Sequence, residues 1–150
     1  MKKILLLSLL LLVNIPVIIA PESGVVTIIV SNTVKRTYTA QDWLQAMIQV
    51  ESGDIGSSAY NPNEPQAVGI LQIWPIMVKE VNIILGYKKY TLKDRLNNKK
   101  SIEMFWVYQN YYNPEHNPDK MCRIWCGGPT GDKKDCTLGY LQLVKDVIYI

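Results

Sequence analysis

The chain has 150 residues, of which 48% are hydrophobic and 19% charged, the proportions of one ordinary globular domain and not of a disordered segment. Its 16 basic side chains against 13 acidic ones leave a net charge of +3, and Lys2 and Lys3 supply two of those charges, so the rest carries no electrostatic footprint for nucleic acid. Three cysteines are too few for a disulfide scaffold.

Residues 1–20 begin with a methionine and two lysines, continue in an apolar run from Ile4 to Val13 and end in Asn14-Ile15-Pro16-Val17-Ile18-Ile19-Ala20, the layout of a secretory leader. Val17 and Ala20 meet the small-residue cleavage rule loosely and Pro21 follows at once, so the competing reading is a retained N-terminal anchor, with membrane association through residues 4–20. Both readings put the folded part outside the cytoplasm, periplasmic or extracellular. Residues 21–36 read as an extended lead-in, because Gly24-Val25-Val26-Thr27-Ile28-Ile29-Val30 is mostly β-branched and Ser31-Asn32-Thr33 ends it.

From residue 37 to 150 the pattern is helical. Thr39 and Asp42 form a start signal, and Trp43, Leu44, Met47 and Ile48 recur at helical spacing until Gly53 stops the first helix. Residues 54–68 are rich in Gly, Ser, Asn and Pro and predict a long loop or small hairpin. A second helix starts near Pro75, carries Met77, Val81, Ile84 and Leu85, and ends at Gly86. A third runs from about Ser101 with Ile102, Phe105, Trp106 and Gln109 on one stripe and cannot pass Asn113-Pro114. A fourth opens at Asp119 after Pro118 and closes at Gly127-Gly128. The fifth takes Thr137 as its cap and keeps Leu138, Leu141, Val144 and Ile148 in register. The expected fold is therefore mainly α: about five helices around one core, with a loop or small hairpin after the first.

The chain's one histidine, His116, in a Pro-flanked polar stretch, offers neither a metal cluster nor a Ser-His-Asp set, and Cys122, Cys126 and Cys136 lack the further ligands a zinc site needs. No metal and no cofactor is expected. In an exported protein a disulfide from Cys136 to Cys122 or Cys126 is the better reading of the cysteines. Gly127, Gly128 and Gly131, joined by Pro129, follow no long strand and read as a turn.

Glu51 is the informative residue. It lies four residues after Met47 and three after Ile48, so the first helix carries a carboxyl toward the core in its last turn. A carboxyl that loses solvation beside apolar neighbours is expected to hold its proton to higher pH, as a general acid must. Twenty residues on, Ala67-Val68-Gly69-Ile70-Leu71-Gln72-Ile73-Trp74-Pro75 is apolar except for Gln72, whose amide both donates and accepts hydrogen bonds.

Glu51-Ser52, then Asn61-Pro62, then the Ala67 to Pro75 run, resemble the signature of the soluble lytic transglycosylase domain of the lysozyme superfamily. The likeness continues in order: Ser101-Ile102 with Tyr108 resemble that family's later helix, Trp125-Cys126-Gly127-Gly128-Pro129 its Tyr-Asn-Ala-Gly-Pro segment, and Gly139-Tyr140-Leu141 its closing Gly-Tyr-Val helix. It spans residues 42 to 148. The resemblance implies an α+β, lysozyme-like fold and cleavage of the β-1,4 bond between N-acetylmuramic acid and N-acetylglucosamine in peptidoglycan glycan strands. It implies Glu51 as the catalytic acid and then base that yields 1,6-anhydro products. By the same resemblance Gln72 and Tyr108 hydrogen-bond the sugar chain. Asn61 falls in the matched Asn-Pro pair and counts with the substrate-binding residues, while Tyr60, Trp74 and Trp125 are candidate aromatic walls. The expected partner is peptidoglycan, met by a monomer.

Two departures stand out: Cys126 replaces the family's asparagine, and Cys136 stands where some members carry a glutamate. A Cys126–Cys136 bridge would tie this segment to the last helix. Two alternatives follow. One is a hydrolytic muramidase in which Glu64, or Asp54, activates water. The other is a non-catalytic glycan-binding or assembly protein, suggested by the loss of the two polar residues.

Overall fold

The computed structural model describes residues 36–59, 63 and 66–149. The expected leader or anchor and the extended lead-in lie outside these residues, as do Tyr60, Asn61 and Glu64. Among the described residues the fold is mainly α, with five α-helices and short 3-10 turns between them.

Helix α1 spans Ala40–Ser52 and is opened by a reciprocal cap. The Thr39 hydroxyl accepts from the Asp42 amide at 3.2 Å, and the Asp42 carboxylate accepts from the Thr39 amide at 2.7 Å. The chain leaves α1 through a 3-10 turn, Gly53–Ser58, kinked at Gly56. Of the expected long loop or small hairpin over residues 54–68 part lies outside the described residues; the pairing seen among them is one antiparallel bridge, Val68 with Ile73, in which the Ile73 amide donates to Val68 O at 2.9 Å. Helix α2, Pro75–Leu85, starts on its proline and stops at Gly86, which takes a left-handed conformation at φ 78°.

Helix α3, Asn98–Tyr112, begins earlier than the apolar stripe suggests. Asn97 is its cap, its Oδ1 accepting from the Lys100 amide at 3.0 Å, and a 3-10 turn at Leu92–Leu96 delivers the chain to that cap. Helix α4, Pro118–Gly127, is capped by Asn117. Helix α5, Leu138–Ile148, keeps the expected apolar stripe and has Thr137 at its N-cap position, but the Thr137 side chain makes no cap hydrogen bond. The Thr137 hydroxyl instead accepts from Arg123 Nε at 2.9 Å and lies within hydrogen-bonding distance of the Gly131 and Lys134 carbonyls, so it is spent on folding the 128–137 segment back onto α4.

α1 packs chiefly on α5, α2 on α3, and α4 on α5 and the segment that follows it. Their shared core contains Leu44, Met47, Leu71, Val81, Met104, Phe105, Ile124 and Val144. Polar groups within it are satisfied: the Gln109 amide donates to Met121 O at 3.1 Å, and Asn113 donates to Asn117 O at 3.0 Å where α3 turns into α4.

The cysteine expectation is corrected here, since all three thiols are free. Cys122 is buried in the core while Cys126 and Cys136 are exposed.

Candidate active site

A cleft of about 460 Å³ opens where the end of α1, the turn before α2, α4 and the start of α5 meet. Glu51, Gln72, Trp125, Cys126 and Tyr140 line it, with Ile73, Trp74, Ile76 and Met77 supplying its apolar wall.

Glu51 is half-buried in the last turn of α1. A carboxylate there faces the negative end of the helix dipole, a placement that does nothing for helix stability. Tyr140, in the first turn of α5, donates its hydroxyl to Glu51 Oε1 at 2.7 Å. Burial, and then the negative charge of Glu51, hold the Tyr140 phenol well above its ordinary pKa, so it stays a donor.

Gln72 enters from the turn closed by the Val68–Ile73 bridge. Its φ of 45° lies in the left-handed region, uncommon for a side chain of this kind. Its amide nitrogen donates to Gly69 O at 2.9 Å and to Ala59 O at 3.2 Å. Its Oε1 is buried and accepts no hydrogen bond among the described residues. A buried acceptor of this kind, in a cleft wall, suits an N–H or O–H of a bound ligand.

Two features hold that turn. Arg95 Nη1 donates to Gln66 O at 2.7 Å and to Ile73 O at 2.9 Å. Gly69, at φ 81°, lies so close to Arg95 that a Cβ built on it would stand 2.1 Å from the Arg95 carbonyl oxygen.

On the opposite wall Trp125 is 8% exposed. Its ring lies 5.0 Å from that of Phe105 and 6.1 Å from that of Tyr108, so aromatic packing fixes the surface it turns to the cleft. The neighbouring Cys126 thiol is pushed up to about 11, by burial first and by the Glu51 charge among the smaller causes, and is a neutral thiol near pH 7.

The structure thus brings Glu51, Gln72 and Trp125 together, with Trp74 on the same cleft. Tyr108 is a correction. Its side chain is buried at 1% exposure, its hydroxyl donates to Ile124 O at 3.4 Å, and it is a core residue behind Trp125 instead of a sugar contact. Tyr60 and Asn61 lie outside the described residues, as does Glu64, while the backbone of Asp54 lies in the turn after α1. Tyr140 and Arg95 were not among the expected site residues. Tyr140 sits beside the apolar stripe of α5 and 89 residues from Glu51, so only its place in the Gly139-Tyr140-Leu141 motif could have drawn notice.

Among the described residues no group of histidine, cysteine, aspartate or glutamate side chains could hold a metal ion, and no helix is long and apolar enough to cross a membrane. Comparison of the chain with protein-family models, with curated proteins and with solved structures gave no significant match.

Proposed function

We propose that this cleft cleaves peptidoglycan glycan strands as an exported lytic transglycosylase on a lysozyme-like domain, with Glu51 as general acid and then base. The observation that carries the reading is the Glu51 carboxyl gripped by Tyr140 on the wall of a cleft that also holds Gln72 and Trp125. The ordered motifs from Glu51 to Tyr140 supply the substrate class by resemblance.

In this reading protonated Glu51 gives its proton to the glycosidic oxygen as the bond from C1 of N-acetylmuramic acid breaks, passing through an oxocarbenium-like state. The C6 hydroxyl of the same sugar then attacks C1, and the Glu51 carboxylate takes the hydroxyl proton. The products are a 1,6-anhydro end and a free 4-hydroxyl, with no water consumed and Glu51 protonated again. Tyr140 holds one carboxyl oxygen in place throughout, since its own proton is held firmly. The Gln72 carbonyl is free to accept from a sugar amide or hydroxyl, and the Trp125 face gives a ring an apolar wall.

A hydrolase of the usual kind needs a second carboxylate across the sugar ring. Among the described residues Glu51 is the carboxylate that lines the cleft, and the intramolecular route needs no other; Glu64, the second carboxylate of the muramidase alternative, lies outside those residues. Product analysis tests this directly. Anhydro ends, each lighter by one water than a reducing end and lost in Glu51→Gln, support the proposal, while reducing ends refute the transglycosylase form of it.

A further inference from the structure

A second concavity, of about 720 Å³, lies between α2 and the Tyr87–Leu92 segment. None of the described residues lines both it and the cleft. Ile83, Tyr87 and Leu92 stand on it, each more than half exposed, and its charged lining residues are Lys79 and Lys88. Single exposed apolar side chains are ordinary on a protein surface, whereas three around one concavity, set among lysines, form a patch.

Positive charge is concentrated in the same stretch. Residues 79–100 hold seven lysine and arginine side chains against Glu80 and Asp94, a local charge of +5 in a chain whose total is +3. Both acids are engaged, Asp94 with Lys100 at 2.5 Å and Glu80 with the Tyr112 hydroxyl of α3. Lys89 pairs with Glu103, and Arg95 is taken up by backbone carbonyls. Lys79 and Lys88 have no ion pair among the described residues, so the two lysines on the concavity carry its unbalanced charge.

The frame beneath these side chains is fixed. The Asn82 side chain, from α2, accepts from the Lys89 and Tyr90 amides at 2.9 Å each and donates to Tyr90 O at 2.8 Å, which pins the segment beyond Gly86 to the helix. The Tyr90 ring is buried, and its hydroxyl donates to Glu103 at 3.0 Å. Thr91 and Asp94 then cap the turn that begins at Leu92, the Thr91 amide donating to Asp94 Oδ2 at 2.7 Å. A patch held in this way pays little ordering entropy when it docks.

We propose that this face docks on the surface of an anionic phospholipid bilayer. Lys79 and Lys88 pair with headgroup phosphates, and Ile83, Tyr87 and Leu92 enter the boundary between headgroups and acyl chains. Charge complementarity selects an anionic occupant and disfavours a second copy of the same face, which would set lysine against lysine. The apolar side chains select a bilayer over a soluble polyanion, which would leave them in water. Tyr87, with an apolar ring and a polar tip, suits the interfacial layer. The reading of residues 1–20 as a leader or an anchor sends the chain to such a surface, and residues 79–92 are a contact separate in sequence from that segment. The inference is independent of the chemistry proposed for the cleft.

The test is deuterium exchange of the full chain on vesicles of phosphatidylglycerol mixed with phosphatidylcholine, and on vesicles of phosphatidylcholine alone. This readout is local, so attachment through residues 4–20, common to all variants, does not mask it. We expect exchange over residues 79–92 to slow about tenfold or more on the anionic vesicles and not on the neutral ones, and the slowing to vanish at high salt. Each lysine near an anionic surface is worth about fivefold in binding, so Lys79→Gln/Lys88→Gln should remove the slowing, as should Ile83→Ser/Leu92→Ser, with unchanged melting curves. Tyr87→Ser replaces the serine pair should that pair melt lower. No slowing over residues 79–92, equal slowing on neutral vesicles, or slowing that survives either pair of substitutions overturns the proposal. So does lysine-dependent binding of inorganic polyphosphate with no slowing on vesicles, which would make the face a site for a soluble polyanion.

Discussion

Replacing Gly69 with alanine tests whether the turn that presents Gln72 is held as described, and Gly86 supplies the control. Both glycines have positive φ, 81° and 78°, and both should lose about 1–2 kcal/mol when an L side chain is forced into the left-handed region. They differ in surroundings. A Cβ on Gly86 meets nothing within 4 Å, whereas one on Gly69 falls 2.1 Å from Arg95 O and 3.1 Å from Arg95 C. Carbon and oxygen approach to about 3.3 Å at closest, so more than an ångström of movement is needed. The Arg95 carbonyl resists it, because it accepts from Ser101 Oγ at 2.8 Å while the guanidinium of the same residue holds Gln66 O and Ile73 O. Overpacking of this kind adds about 1–3 kcal/mol, so Gly69→Ala should cost about 2–5 kcal/mol against 1–2 for Gly86→Ala, out of a stability of about 5–15 kcal/mol for a domain of this size. Urea denaturation followed by tryptophan fluorescence reads both. Equal midpoints for the two variants would show that the turn is not packed against Arg95 and would refute the reasoning.

Tyr140→Phe removes one hydroxyl and leaves the ring; loss of a hydrogen bond to a charged group is worth about 1.5–3 kcal/mol, so kcat/KM on peptidoglycan should fall roughly ten- to hundredfold with KM little changed, and wild-type turnover would rule out its positioning role. Asp94 is held down at about 2 from 3.8 by its hydrogen bonds to Lys100 and Thr91, so the unfolded chain binds the proton more readily. Its contribution is present above pH 3.8 and lost as pH falls toward 2. Melting temperatures of wild type and Asp94→Asn, scanned from pH 5 to 2, should therefore converge at the acid end, and a gap that widens there would contradict the assignment. Timed alkylation with iodoacetamide at pH 8 should modify exposed Cys136 first, Cys126 slowly and Cys122 last, since burial pushes the Cys122 thiol up to about 12 and that of Cys126 to about 11. A mass-mapped order that puts Cys122 first would show that α4 does not pack as described.

The helices were legible where their punctuation is local. Thr39 with Asp42, Pro75 with Gly86, and Pro118 with Gly127-Gly128 act over a few residues, and each marks an end within a residue or two of the observed one. Thr137 stands at the expected N-cap position, but its side chain is engaged elsewhere, since a hydroxyl before an apolar stripe has the same local signature whether it bonds the first turn or answers Arg123 from α4. The start of α3 was missed because Asn97, its cap, is set apart from the first apolar residue, Ile102, by a polar turn.

At the site, Glu51 and Gln72 stood out as polar residues set among apolar ones, a conflict visible without any fold. Tyr108 carried no such mark: an aromatic on a helical stripe reads the same in a core as in a cleft, and the contact with Trp125 and Ile124 that decides it crosses from α3 to α4. The partnership of Tyr140 with Glu51 and the clamp of Arg95 on the Gln72 turn are likewise long-range, created only when the helices pack.

The measurement that bears most directly on the central claim is mass spectrometry of the muropeptides released from purified peptidoglycan by the full chain, with Glu51→Gln alongside. The account predicts 1,6-anhydro muropeptides from the wild type and none from a variant that melts at the same temperature. Undiminished anhydro products from Glu51→Gln, or no soluble products from a well-folded wild type that still binds sacculi, would contradict it.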